Sequence, residues 1–222
     1  VYEEWASPLP HVVAWRSVTP PGEHRAKRIL PDGCLDLIWR DGTVFVAGPD
    51  TTAQVGRPAP GSRHAALRFG AGTGPGVLGV PAAELIDRRV PLEALWPAAE
   101  VRAIAEADDP VAALTAAAGR RWRGADPVMV ALAGAARAGA PVGVVAERCG
   151  LSPRQLQRRS NTAFGYGPKT LHRILRMQRA VALARAGRPF AAVSADAGYA
   201  DQAHLAREVR AMAGVPLSAL LR

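Results

Sequence analysis

Arg154, Gln155, Gln157 and Arg158 crowd into five positions, and Gln202, Ala203, His204 and Arg207 form a second polar group further along the chain. Arginine and glutamine carry the donors that reach base edges in a major groove, and arginine also pairs with phosphate oxygens. What must position them is a degenerate repeat. Val145-Ala146-x-x-x-Gly150-Leu151-Ser152 returns 48 positions later as Val193-Ser194-x-x-x-Gly198-Tyr199-Ala200. Each copy reads as a short helix, a glycine turn and a second polar helix, the sequence form of a helix-turn-helix. Two reading heads on one chain point to DNA.

In the first copy Val144, Val145, Ala146 and Cys149 give one helix an apolar face, while Glu147 and Arg148 face water. Gly150 ends that helix, since glycine reaches the left-handed conformation without a side-chain penalty. Ser152 with Gln155 is a capping box and Pro153 suits the first helical position, so the next helix starts at Pro153 with Leu156 turned inward. In the second copy Phe190 and Val193 form the apolar side of the first helix. Asp201 caps the following one, and Leu205 and Val209 are its buried face. Between the copies, Pro168 to Ala186 reads as a single helix ended by Gly187, with apolar residues on both sides. At about 1.5 Å per residue it is a rod of roughly 28 Å. That is near the ~34 Å between successive major-groove faces, so the rod can hold both heads against one side of a duplex.

Charge divides along the same line. From residue 111 onward there are 17 Arg and Lys against 5 acids, net +12; residues 1 to 110 carry 11 against 14, net −3. Sixteen of those 17 cations are arginine, which favours planar bidentate contact with phosphate and guanine. Part of the arginine usage belongs to an Ala-, Gly- and Pro-rich composition, so the asymmetry between the halves is the informative quantity.

The chain resembles the AraC/XylS family of transcriptional regulators over about residues 126 to 222. The matching residues are Gly150-Leu151-Ser152-Pro153-Arg154-Gln155-Leu156-Gln157-Arg158-Arg159, Ala163-Phe164-Gly165-x-Gly167-Pro168-Lys169, Gly198-Tyr199-x-Asp201-Gln202-x-His204-Leu205-x-Arg207-Glu208 and Gly214-Val215-Pro216. The resemblance implies two recognition helices in adjacent major grooves, with Arg154, Gln157, Arg158, Gln202, Ala203 and Arg207 at positions that meet bases. Gln155, Arg159, Lys169, Thr170, His172, Arg173 and His204 are the candidates for the DNA backbone. Ser160 stands where the family has a buried Phe, and Leu205 and Val209 replace aromatic residues. Ala200 and Ala203 leave the second head fewer hydrogen-bonding groups than is usual.

The amino-terminal part is read as strands at Val12 to Val18, His24 to Leu30, Cys34 to Arg40, Thr43 to Ala47 and His64 to Phe69, separated by Pro- and Gly-rich turns. Trp39-Arg40-Asp41-Gly42-Thr43 reads as a hairpin. Gly70 to Gly79 is expected as a loop leading into one more short strand. Ala82 to Ile86 and Leu92 to Trp96 read as short turns, and Ala98 to Ala107 and Val111 to Ala118 as helices of a connector that ends at Gly124-Ala125-Asp126-Pro127. Leu30-Pro31-Asp32-Gly33-Cys34-Leu35-Asp36-Leu37-Ile38-Trp39 with Val46-Ala47-Gly48-Pro49 resembles the short amino-terminal domain of a subset of AraC-like regulators.

The fold class expected is α+β: a small β-barrel or sandwich over residues 1–95, a helical connector over 96–125, and an all-α domain of two helix-turn-helix motifs joined by a long helix over 126–222. Cys34, Asp36 and Trp39 are the candidate ligand or sensor residues. In a strand beginning at Cys34, alternation puts Cys34, Asp36 and Ile38 on one face and Leu35, Leu37 and Trp39 on the other. A reactive Cys34 would need cationic neighbours, and the acids beside it oppose that. His11, His24 and His64 are scattered, no metal or nucleophile spacing occurs, and no enzyme, cofactor or metal is expected. Cys149 reads as a small buried hydrophobe. Without an 18-residue apolar run or a basic leader, the expectation is a cytoplasmic protein with no membrane span. Double-stranded DNA is the expected partner; RNA polymerase, a small-molecule effector and a homodimer stay open.

Overall fold

The computed structural model describes residues 1–22, 26–140 and 142–221, so His24, read as the start of a strand, lies outside the described residues. Its strands are β1 (Tyr2–Ala6), β2 (Val12–Val18), β3 (Lys27–Ile29), β4 (Leu35–Arg40), β5 (Thr43–Ala47), β6 (Gln54–Gly56), β7 (Arg63–Phe69) and β8 (Arg89–Pro91). The helices are α1 (Pro75–Leu78), α2 (Ala98–Ala105), α3 (Pro110–Arg121), α4 (Pro127–Arg137), α5 (Val142–Arg148), α6 (Pro153–Phe164), α7 (Pro168–Arg185), α8 (Phe190–Ala197) and α9 (Gln202–Ala213). Short 3-10 turns occupy Ala82–Glu84, Leu92–Ala94 and Leu217–Leu221. The class is α+β.

The barrel or sandwich of the sequence reading takes the form of a six-stranded antiparallel sheet, ordered β1-β2-β7-β4-β5-β8, with a separate β3-β6 pair. Strand β4 shows the alternation that builds it: Leu35, Leu37 and Trp39 are buried, while Asp36 and Ile38 are half-buried on the opposite face. Asp41 and Gly42, both at positive φ, form the two-residue turn from β4 to β5, as the right-handed strand twist demands. The apolar face of this sheet is covered by α2 and α3. Val101, Ile104, Leu114, Ala117 and Ala118 share one core with Leu37, Leu67 and Phe69, so residues 96–125 are part of the amino-terminal core as well as a connector.

The Gly70 to Gly79 stretch corrects the loop-then-strand expectation. It contains α1, which opens on Pro75 and stops at Gly79 with φ +79°, and the next strand, β8, comes ten residues later. Burial of Val77 and Leu78 accounts for this helical turn despite the glycines around it. The outer strand β1 and the short β6 lie outside the expected strands, and β8 falls further along the chain than the short strand expected after Gly79.

The carboxyl-terminal core is separate. Met129, Leu132, Leu171, Ile174, Leu175, Met177, Val181, Val193, Leu205 and Val209 gather around α7, which is buried along much of its length. Asp126 begins this part by capping α4, accepting from the Val128 and Met129 amides. The two halves touch. Arg28 donates to the Ala213 carbonyl at 2.8 Å, the Ala53 amide to the Met212 carbonyl at 2.7 Å, and the Gln178 side chain to the Pro31 carbonyl at 2.7 Å.

Candidate nucleic-acid interface

The first head is α5, a turn at Gly150 (φ +65°), and α6. Both halves of the capping box are made, Gln155 N donating to Ser152 Oγ at 3.3 Å and Ser152 N to Gln155 Oε1 at 2.9 Å, with Pro153 opening the helix. Arg154, Gln155, Gln157 and Arg158 are all exposed on α6 and Leu156 is half-buried. They are not equally free. The Gln155 oxygen is committed to the cap. Gln157 Nε2 donates to Asn161 Oδ1 at 3.0 Å, and its amide lies over Gly167, where a Cβ would stand 2.6 Å from it. Arg154 and Arg158 make no side-chain hydrogen bond among the described residues.

Arg159, a sequence candidate for the DNA backbone, holds Asp126 instead through Nε at 3.0 Å and Nη2 at 2.6 Å. Burial opposes ionisation of that carboxyl, but the Arg159 contact and the two α4 amides prevail and keep its pKa below the ordinary value. Arg159 thereby ties α6 to the start of α4. Three readings of apolar faces are corrected. Cys149 is exposed, Val144 is 52 % exposed and Phe190 40 %. The inward side of the short α5 consists of Ala146, with Val145 half-buried beside it, and that of α8 of Val193 and Ala197.

The second head turns at Gly198 (φ +81°), and Asp201 caps α9 by accepting from the His204 amide at 2.6 Å. Gln202, Ala203 and Arg207 are exposed, while Leu205 and Val209 are buried. Beneath them lies an ionic group that the sequence reading missed. Glu208, 7 % exposed, accepts from Arg176 Nη2 at 2.7 Å and from Arg173 Nε at 3.0 Å. Arg176 also lies 4.3 Å over the Tyr199 ring, and His204 Nε2 is 3.9 Å from Glu208. Burial pushes the Glu208 pKa up, but the hydrogen bonds and charge of Arg176 and Arg173 outweigh it and leave it below the usual glutamate range. Arg173, another backbone candidate, is therefore partly spent inside the protein. The only local hint was the Arg173-x-x-Arg176 spacing on one face of α7; the carboxylate sits on another helix.

Two clefts flank α7. One, about 620 Å³, is lined by Lys169, His172, Arg173 and Arg176 of α7 and by His204, Arg207, Glu208 and Ala211 of α9. The other, about 510 Å³, runs between α7 and the first head, past Leu156, Gly139 and Gly143, with Gly198 at its far side. Lys169 and His172 line both. The exposed face of α7 near its start is thus the ridge between the two recognition helices. Thr170, half-buried, lines neither cleft. Burial, followed by the charges of Arg176 and Arg179, lowers the His172 pKa, so near neutral pH it offers a neutral ring.

Cys34, Asp36 and Trp39 do not converge on one site. Trp39 faces the helical layer and donates to the Ala105 carbonyl at 2.9 Å. Asp36, on the other face, accepts from Trp15 Nε1 at 2.8 Å and pairs with Arg68 at 3.3 Å. Burial lifts its pKa to about 6 against the pull of those partners. Burial, then Asp32 and Asp36, push the Cys34 thiol well up, away from the thiolate a redox sensor needs. No group of His, Cys, Asp and Glu among the described residues could hold a metal ion, and no helix among them is long and apolar enough to cross a membrane.

Residues 145–222 match the model of a helix-turn-helix domain, and residues 7–91 match a domain of unknown function, DUF6597. No curated protein matches the chain. Among solved structures, an apo variant of ToxT from Vibrio cholerae is 9 % identical, with 97 % of this chain and 98 % of that one covered and a TM-score of 0.50. That similarity is one of fold, and it extends over both halves. A probable AraC family transcriptional regulator from Rhodopseudomonas palustris is 21 % identical over 43 % of this chain and 95 % of that chain, with a TM-score of 0.38.

Proposed function

We propose that this chain is a DNA-binding transcriptional regulator of the AraC/XylS type, a reading its helix-turn-helix match over residues 145–222 supports, and that α6 and α9 enter adjacent major grooves of one duplex. The observation that carries this is the shared lining of the two clefts: Lys169 and His172 stand between the recognition helices and border both. A duplex lying across them meets exposed donors on either side and a cation in the middle. Helix α7, with 18 residues at about 1.5 Å each, spans roughly 27 Å, in keeping with two grooves about one helical turn apart.

Arg154, Arg158, Gln202 and Arg207 are the residues proposed to read base edges, with Gln157 joining them after release from Asn161. Ala203 supplies at most a methyl contact to thymine. Lys169, His172 and His204 take the backbone, and Gln155, Arg159, Thr170 and Arg173 support the helices more than the DNA. In the first head, specificity rests chiefly on Arg154 and Arg158, whose guanidinium groups have no partner to give up among the described residues.

Two variants test the division. Arg158→Ala is expected to weaken binding to a selected duplex by about 1–3 kcal/mol and to relax preference at one base position. An equal loss on every sequence would assign Arg158 to phosphate instead. Lys169→Ala is expected to weaken binding evenly across sequences and to reduce the slope of log K against log salt by about 1. An unchanged slope would remove Lys169 from the backbone contact. Fluorescence anisotropy over a salt series, on duplexes enriched from a random library, measures both.

A further inference from the structure

Arg179 lies on α7 just beyond the ionic group at Glu208, and among the described arginines of the domain it is the one with buried, unpartnered nitrogens. Its guanidinium lies against Gly139, in the turn between α4 and α5. A Cβ added to Gly139 would fall 2.5 Å from Nη1 and 3.0 Å from Cζ. On the other side, a Cβ on Gly198 would fall 3.6 Å from Nη2, and the same Nη2 donates to the carbonyl of Ala197 at the end of α8. Gly139 lies in the turn that leads from α4 into the first head and Gly198 in the turn of the second, and both are at positive φ. One planar cation is therefore held between the turn entering the first head and the glycine turn of the second, at a place where the cleft is lined by Gly139, Gly143, Ala197 and Gly198. Any side chain at Gly139 would displace it.

The hydrogen bond of Arg179 to the Ala197 carbonyl ties α7 to the end of α8. Nε and Nη1 are buried and have no hydrogen-bond partner among the described residues, and no carboxylate pairs with the group there. A guanidinium is flat and rigid, and it hydrogen-bonds in its own plane while stacking on its faces. Those properties set a separation between two surfaces.

We infer that Arg179 is a positioning residue that fixes the distance between the two reading heads and thereby the number of base pairs separating the two half-sites. The inference rests on the bipartite reading proposed above. Loss of the guanidinium removes the contact that holds the Gly139 and Gly198 turns in one fixed relation. The recognition side chains themselves are untouched.

Random-sequence duplexes are enriched separately with the wild-type chain, Arg179→Ala and Arg179→Lys, and the recovered sequences are aligned for two submotifs and the gap between them. The wild type is expected to hold one gap, with about tenfold or greater loss of affinity when a single base pair is inserted, because one head then loses its base contacts. Arg179→Ala is expected to enrich the same submotifs with the gap spread over at least two lengths, and to lose less than about threefold on the insertion. Lysine keeps the charge but not the plane, and Arg179→Lys is expected to spread the gap as well; it carries the test if the alanine variant does not fold. A gap as narrow as wild type in a folded variant overturns the assignment of Arg179. Recovery of only one submotif by the wild type overturns the bipartite reading itself, which separates the two failures.

Discussion

Replacing Glu208 with alanine is expected to cost about 3 kcal/mol of stability and to abolish sequence-specific DNA binding at concentrations where the wild type is saturated. Glu208 is buried between Arg173 and Arg176, and Arg176 is itself only 14 % exposed in its side chain. Removing one partner of such a pair leaves a buried charge uncompensated, at about 3–5 kcal/mol for a fully enclosed pair. The low end applies because Arg173 is 43 % exposed and can turn to water. The same change unseats α9, since the Glu208 link is what ties that helix to Arg173 and Arg176 of α7. Glu208→Gln keeps the shape and some of the hydrogen bonds, so it is expected to lose less. Its pH response differs too. The wild-type carboxyl titrates below its unfolded value of about 4.3, so its stabilisation is present above that pH and is lost as pH falls through the folded value. Thermal melts at pH 7 and pH 3.5 should show the wild type losing stability on acidification and the glutamine variant losing less. Equal acid sensitivity in the two proteins would take the pair out of the stability account.

The parts of this molecule legible in its sequence are those specified by neighbours in the chain. Ser152, Pro153 and Gln155 form a cap whose members lie within four positions, and Asp201 caps the next recognition helix through an amide three residues on. The long α7 was legible from its apolar spacing and the glycine after it, ending one residue before the expected bound. The β4–β5 hairpin was legible from Asp41-Gly42. What was not legible depends on residues far away. Helix α5 has seven residues, too few for its pattern to decide which side meets the core, and Cys149 falls on the outside. The bare edge strand β1 is exposed throughout, so no alternation marks it. Most telling are the arginines. Arg159 meets Asp126 across 33 positions and Arg173 meets Glu208 across 35. Composition cannot distinguish an arginine that pairs inside the protein from one that reaches DNA, and Arg154, Arg158, Arg159 and Arg173 look alike until the helices are packed.

Phe164→Ala is expected to cost about 3–5 kcal/mol, the usual range for emptying a buried phenylalanine site, and to loosen the two halves from one another. Phe164 is 1 % exposed at the end of the first recognition helix, and its ring edge lies 3.1 Å from where a Cβ on Gly72 would stand. Gly165 follows at φ +87°, so close to Pro49 and Ile86 that an added Cβ would lie 2.9 Å from each. Tyr166 then buries its ring beside Gly33. These three residues plug the carboxyl end of α6 into the amino-terminal half, and the site cannot collapse easily because glycine backbone lines part of it. Calorimetry should show the main transition of the wild type falling in temperature in the variant and separating into two, one for each core. A loss under about 1 kcal/mol with a single transition would mean that the remaining contacts, such as Gln178 to Pro31 and Arg28 to Ala213, hold the halves together without the ring. The plug bears on DNA reading because it anchors the far end of α6: the orientation of Arg154 and Arg158 is set at one end by the Ser152 cap and at the other by Phe164. Arg158 should therefore contribute less to discrimination in a Phe164→Ala background than in the wild type, and a double-mutant cycle on a selected duplex measures that coupling.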